Sequence, residues 1–361
     1  MIKDNYCIIM AGGIGSRFWP LSRTSRPKQF LDILNTGKTF LQDTFERFRE
    51  ICPVENIYIV TNKDYKQLVA EQLPELKPEQ ILLEPQRKNT APCIAYANYT
   101  ILNRNPNANI VVAPSDHLIL NSAEFKSTIL KGLEFVKNND ALLTIGIKPQ
   151  RPETGYGYIQ VNKDGKINGK LFKVKTFTEK PDINLAQVFF ESGEFYWNSG
   201  IFIWNIKTIN KAFETHLQEV DVLFKEAFQF FSTYKEDYAI STVYAECKNI
   251  SIDYGIMEKA NNVFVICADF GWSDIGTWGS LFENLPKNKN NNVIKGENVV
   301  TYNTENSIVY APDNKLVVIN GLSDFIIVDT TDSLLICKKS DEQQIRQIVN
   351  DIKIKKGEDY I

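Results

Sequence analysis

Histidine is almost missing from this chain: among 361 residues there are two, His117 and His216, far apart in sequence. Zinc chemistry built on a histidine cluster is thereby excluded. The six cysteines, Cys7, Cys52, Cys93, Cys247, Cys267 and Cys337, include no pair separated by two residues, so there is neither a zinc knuckle nor a CxxC redox pair. Isolated cysteines in a long chain read as reduced core residues, and a cytoplasmic location is expected. An excess of one charge is also lacking. Lys+Arg 41 against Asp+Glu 44 leaves a net charge of −3, without the positive balance of a nucleic-acid binder. No stretch approaches the ~18 apolar residues of a membrane span, and the run Tyr6–Ala11 after Met1–Asn5 is too short for a signal peptide. Neither nucleic acid nor membrane is an expected partner.

What is present is an ordinary globular composition, 43% hydrophobic and 24% charged, with a length suited to about two domains. Tyr6–Met10, Ile57–Val60, Ile81–Leu83, Ile110–Ala113 and Leu142–Ile145 are short, continuous apolar runs. Strands of that kind are covered on both faces, and the helix-length segments between them predict the cover: one helix carrying Leu41, Phe45 and Phe48 behind a Thr39–Gln42 capping box, then 91–101 and 124–136. The expected fold is α/β, a doubly wound, mixed but mainly parallel, Rossmann-like sheet whose ligands bind beyond the carboxyl ends of the strands. The pattern changes near Pro286. Apolar runs centred on Ile308, Val317, Ile326 and Leu335 recur every nine residues, with turn residues between them. A small C-terminal β domain is predicted, a meander or a few coils of β-helix, ending in a helix through Ile345, Ile348, Val349 and Ile352 that Ser340 and Gln343 cap. Two domains are expected, 1–286 and 287–361.

The most distinctive segment follows the first strand: Ala11-Gly12-Gly13-Ile14-Gly15-Ser16-Arg17-Phe18-Trp19-Pro20, continuing to Pro27-Lys28-Gln29. It is not a dinucleotide fingerprint, because Phe18 stands at the third glycine, and it lacks the Gly-Lys-Ser/Thr of a P-loop. Three glycines still let bare N–H groups approach an anion. Arg17, Arg23, Arg26 and Lys28 follow within twelve residues, forks and point charges that suit a triphosphate. Asp116 and Asp274 each sit in a loop, where a lone aspartate more often closes a turn than holds a hard cation.

This segment resembles the signature of the sugar-1-phosphate nucleotidylyltransferases, and its wording resembles their mannose-1-phosphate guanylyltransferase branch. Further segments match in order: Glu84-Pro85 with Arg87-Asn89-Thr90-Ala91-Pro92; Pro114-Ser115-Asp116-His117; Pro152–Ile159; Phe177-Thr178-Glu179-Lys180-Pro181; Trp197-Asn198-Ser199-Gly200; Trp272-Ser273-Asp274-Ile275-Gly276. The resemblance covers residues 6 to 285. It implies transfer of a guanylyl group from GTP to mannose 1-phosphate, giving GDP-mannose and diphosphate, with Mg²⁺ held by Asp116 and Asp274. Arg17 and Lys28 would act with them in catalysis. Ala11, Gly12, Gly13, Gly15, Ser16, Arg17, Glu84, Asn89, Thr90, Ala91 and Ser115 would bind GTP, with free N–H groups at the Thr90 helix start. Gly155, Glu179, Lys180, Asn198 and Ser199 would take the sugar phosphate. A heptose- or fucose-phosphate guanylyltransferase, a thymidylyl- or uridylyltransferase, and a non-catalytic regulatory subunit remain the alternatives. A homodimer through the β domain and the absence of a fused isomerase are further expectations.

Overall fold

The computed structural model describes residues 3–361, apart from the side chains of Asp164 and Asn168. The chain forms two compact units, and both are discontinuous in sequence.

The first unit holds residues up to Gly12, Gln42–Ser115 and Ile119–Trp272. Its strands are β1 (Asn5–Met10), β2 (Ile57–Asn62), β3 (Ile81–Glu84), β4 (Asn109–Pro114), β6 (Leu142–Ile147), β7 (Tyr158–Asn168), β8 (Leu171–Thr178), β9 (Phe195–Asn205) and β10 (Val263–Ala268). Two-residue strands, β5 (Leu118–Ile119) and β11 (Trp272–Ser273), lie where the chain changes unit. The nine longer strands make one sheet in the order β3-β2-β1-β4-β9-β6-β10-β8-β7. β1 to β4 pair in parallel, as do β6 and β10, whereas β8 and β9 run against the rest. The expected mixed, mainly parallel sheet is therefore present, and β9 between β4 and β6, with β8 between β10 and β7, is what mixes it.

All six residues of β2 and of β6 are buried, so the sheet needs helices on both faces. Thr90–Arg104 and Ser122–Asn138 are two of them. Asn89 and Asn121 cap them through their side-chain oxygens, satisfying donors that a helix start leaves unpaired. Glu84 ends β3, while Gly12 and Ser115 follow closely on β1 and β4. These are the carboxyl ends at which such sheets bind ligands.

The second unit holds Gly13–Leu41, Asp116–Leu118 and Ser273–Ile361. The boundary expected at 286/287 falls inside it. β12 (Val293–Lys295), β14 (Ile308–Tyr310) and β16 (Phe325–Asp329) stack in parallel, and β13 (Val299–Tyr302) stacks on β15 (Val317–Asn320). The registers Ile308↔Ile326 and Val299↔Val317 set an eighteen-residue coil, so the nine-residue spacing is half a turn of β-helix and successive runs fall on alternate faces. β17 (Leu334–Lys338) closes the stack antiparallel to β16. The final helix is Ile345–Lys356, but Ser340 and Gln343 do not cap it. Residues 339–344 form a 3₁₀ turn, Gln344 leads the helix without a side-chain cap, and the Ser340 hydroxyl turns to Asp341.

The core of this unit joins both ends of the chain. Phe18 and Trp19 pack with Ile33, Phe40, Trp278, Ile308, Ile326 and Ile345. Phe18 and Trp278 are fully buried with ring centroids 5.1 Å apart, each contributing about 2–3 kcal/mol by apolar burial. The Trp19 indole N–H donates to the carbonyl of Tyr360 at 2.6 Å. No helix among the described residues is long and apolar enough to cross a membrane.

Candidate active site

In the second unit, the loop after β1 is braced from within. Gly15 has φ of +64° and opens the single turn Ser16–Phe18, and a Cβ there would lie 2.6 Å from Cβ of Lys28. Conformation and space both demand glycine. The Ser22 hydroxyl donates to the Gly15 carbonyl at 2.6 Å, and the Gln29 amide donates to that of Gly13 at 2.9 Å.

The four cations of this loop separate into different roles. Lys28 is 3% exposed, and its ammonium donates to Asp116 Oδ2 at 2.9 Å and to the carbonyls of Asp274 and Ile275 at 2.8 Å each. Three protons meet three acceptors, so none is left for a phosphate in this arrangement. Arg23 is engaged as well, with Asp332 at 2.6 Å, Ser333 at 3.2 Å and the Pro20 carbonyl at 2.8 Å; it anchors the loop to the β-helix. The expectation of four cations around a triphosphate is corrected accordingly. Arg26 is exposed, and Arg17 is half-buried on the fixed turn, with no hydrogen bond or ion pair among the described residues.

Lys28 thus ties together the loops that carry the two aspartates. Burial pushes the Asp116 carboxyl upward, but the Lys28 ammonium, helped by His117, outweighs it and holds the group below the usual carboxylate range. Asp274 Oδ1 accepts the Gly276 N–H at 3.0 Å, and a Cβ at Gly276 would sit 2.5 Å from Oδ2.

In the first unit, Glu84 is buried and accepts the Tyr244 hydroxyl on Oε1 at 3.0 Å. A Cβ on Gly12 would approach Oε2 to 3.1 Å. Arg87 closes the group by donating to the Gly12 carbonyl and to the Tyr65 hydroxyl. The helix start nearby is not the open donor site expected of it. The Thr90 N–H goes to Asn89 Oδ1 at 2.9 Å, the Ala91 N–H goes to the Ile250 carbonyl at 3.1 Å, and the Thr90 hydroxyl accepts the Ile252 N–H at 2.9 Å. Ala11 likewise spends its N–H on Val60 and its carbonyl on Thr61, and Ser115 spends its N–H on Met10 and its carbonyl on Thr44.

The same unit gathers Glu179, Lys180 and Asn198. Glu179 is 8% exposed and pairs with the exposed Lys180; Gly157 makes room for both Glu179 and Asn198, whose atoms a Cβ would strike or touch. Ser199 follows Asn198 on β9, so its side chain leaves the other face; it is buried, and its hydroxyl meets the Ile201 N–H. The Gly155 N–H is spent on Glu153 Oε1 at 3.1 Å. Sequence reasoning misses Asp253, whose Oδ1 accepts the Asn198 amide at 2.9 Å. Burial and the nearby Glu179 push its carboxyl up to about 7, against the Lys180 charge and hydrogen bonds that lower it. The unassigned stretch Ser251–Lys259 is the signal available.

Residues 6–291 match the nucleotidyl transferase family, and residues 297–352 match the MannoseP isomerase/GMP-like beta-helix domain. A mannose-1-phosphate guanylyltransferase from Salmonella montevideo is 36% identical over 367 residues, spanning 98% of this chain and 75% of its own. One from Escherichia coli K12 is 36% identical over 358 residues, 96% of this chain and 73% of its own. The chain belongs to the mannose-1-phosphate guanylyltransferase family. A crystal structure from Thermus thermophilus, named there a mannose-1-phosphate geranyltransferase, superposes with a TM-score of 0.85 at 30% identity, covering 97% of this chain and 99% of that one.

Nucleotidyl transferases of this family use a divalent metal. Among the described residues no three His, Cys, Asp or Glu side chains group together to hold one. Asp116 and Asp274 nevertheless fit a hard cation that takes one or two carboxylates and completes its shell with phosphates and water.

Glu84 carries a prediction on stability. Burial, opposed by the Tyr244 hydrogen bond and by Arg87, raises its pKa from 4.5 to about 7. A carboxyl raised in the folded state contributes fully below pH 4.5, and its contribution is lost as the pH rises through 7. Glu84→Gln keeps an acceptor for Tyr244 and cannot ionise. The variant melts like the wild type at about pH 4.5 and higher than it at about pH 8, by up to about 3 kcal/mol in stability. Equal melting temperatures at the higher pH would show that the carboxylate is not strained by burial.

Proposed function

We propose that this chain catalyses the reaction of GTP with mannose 1-phosphate to GDP-mannose and diphosphate. An oxygen of the sugar phosphate attacks the α-phosphorus in line, a new P–O bond forms, and the bond to the β-phosphate oxygen breaks. The nucleophile is already ionised, so no general base is required, in keeping with a chain of two histidines. The half-buried Arg17, on a braced turn and without a partner among the described residues, carries the reading: a guanidinium fork with unspent donors is free to neutralise charge on the phosphates. Mg²⁺, held when bound by Asp116 and Asp274, supplies charge neutralisation on the same phosphates. Lys28 keeps those two loops together. Glu84, beside Gly12, offers an acceptor for the N–H edge of guanine, and Asn89 shapes the helix start below it. Glu179 and Asn198 hold the sugar hydroxyls, and Lys180 the sugar phosphate.

The test is a substrate panel: four nucleoside triphosphates against mannose, glucose, fucose and heptose 1-phosphates, read by diphosphate release with Mg²⁺ present. GTP with mannose 1-phosphate gives the highest kcat/KM, by at least about tenfold, the scale that one lost hydrogen-bonding group imposes. A thymidylyl or uridylyl preference would overturn the base assignment, and a fucose or heptose preference the sugar. Nucleotide binding without turnover on any pair would mark a regulatory subunit.

A further inference from the structure

Asn198 is held from both sides. Its Oδ1 accepts the Thr144 hydroxyl at 2.9 Å and the Gly200 N–H at 3.3 Å, and its Nδ2 donates to Asp253 Oδ1 at 2.9 Å. The Gly200 N–H can only donate, so the amide oxygen faces it and Nδ2 faces Asp253. Its oxygen is spent, and one of its two N–H protons remains for a ligand.

Asp253 is itself rigidly placed. It opens the π-helical turn Asp253–Met257, a rare geometry that recurs at functional positions. Ile252, Gly255, Ile256 and Met257 are buried, and a Cβ on Gly255 would lie 2.5 Å from Leu217 Cδ1. The residues just upstream hold the helix start beside Asn89, through the Ile250 carbonyl on Ala91 and the Ile252 N–H on Thr90. One seated segment therefore fixes the elements assigned to the nucleoside and the amide assigned to the hexose.

We infer that Asp253 is a positioning residue for the hexose: it locks the Asn198 amide so that its second N–H faces a sugar hydroxyl oxygen, while Glu179 beside it accepts the proton of a neighbouring hydroxyl. A donor and an acceptor set side by side read a vicinal diol. The inference rests on the sugar assignment made above.

Asp253→Asn replaces the acceptor of the Asn198 N–H by an amide that can present either end, without opening a cavity, and Thr144→Val loosens the same Asn198 amide from its other side. In both variants the KM for mannose 1-phosphate rises at least about tenfold, the scale of one lost hydrogen-bonding group. The KM for GTP stays within about twofold, well inside that scale, and the melting temperature changes little. A merely structural role would instead lower the melting temperature and move both KM values together. Unaltered KM for mannose 1-phosphate in both folded variants overturns the inference. A wild type inactive on GTP and mannose 1-phosphate overturns the functional reading instead. Binding of each hexose 1-phosphate is then compared by thermal shift in wild type and Asp253→Asn, and equal shifts throughout overturn the inference as well.

Discussion

Replacing Arg17 with alanine lowers kcat/KM by about 10²–10⁴-fold, the range set by a preorganised donor or an arginine acting on developing phosphate charge. The melting temperature does not move. Arg17 sits on a turn whose shape comes from Gly15, Ser22 and the buried Phe18, and its own side chain contributes no hydrogen bond or ion pair among the described residues. Diphosphate release and a thermal melt on the same preparation check both halves. Turnover within about threefold of the wild type, far short of that range, would remove Arg17 from the reaction.

Lys28→Ala differs in that it destabilises the fold, although it deletes the same charge eleven positions away. The variant strands the Asp116 carboxylate and two carbonyls that now share one ammonium. Lys28 is buried while the Asp116 side chain is 33% exposed, so the loss lies at the lower end of the roughly 3–5 kcal/mol of a fully buried pair, about 3 kcal/mol, which for a chain of this size lowers the melting temperature by roughly 4 °C. Activity falls as well, because the loops bearing Asp116 and Asp274 are no longer joined. Lys28→Met leaves the same acceptors unmet and behaves alike. Lost GTP affinity with an unchanged melt would instead make Lys28 a direct phosphate ligand.

The contrast shows where sequence reasoning reaches and where it stops. Apolar runs such as Ile57–Val60 and Leu142–Ile145 announce buried strands, since only a strand covered on both faces keeps such continuity. β9 is harder to foresee, because Trp197-Asn198-Ser199-Gly200 draws attention as a binding motif and the strand on which it lies pairs against the direction of its neighbours. Charge is legible as charge, but composition does not say where a side chain ends. Arg23 meets Asp332, some three hundred residues later in the chain, a partner that no local pattern reveals. The Thr90 helix start looks open because capping rules are local, whereas its donors are met by Asn89 and Ile250 and its hydroxyl by Ile252. Asp253 escapes because a π-helical turn has no simple period to detect.

Phe18 and Trp19, next to Arg17 in sequence, belong to the hydrophobic core of Ile308, Ile326 and Ile345. On a ribosome these residues are born in opposite order of need. The glycine loop emerges early in synthesis, yet the side chains that seat it are made some three hundred residues later. Early folding of the sheet cannot by itself give a finished loop, because domains are completed as their chain becomes available and contacts of such long sequence separation form late. The loop after β1 therefore gains its full packing only once the residues of the β-helix and the final helix have been made.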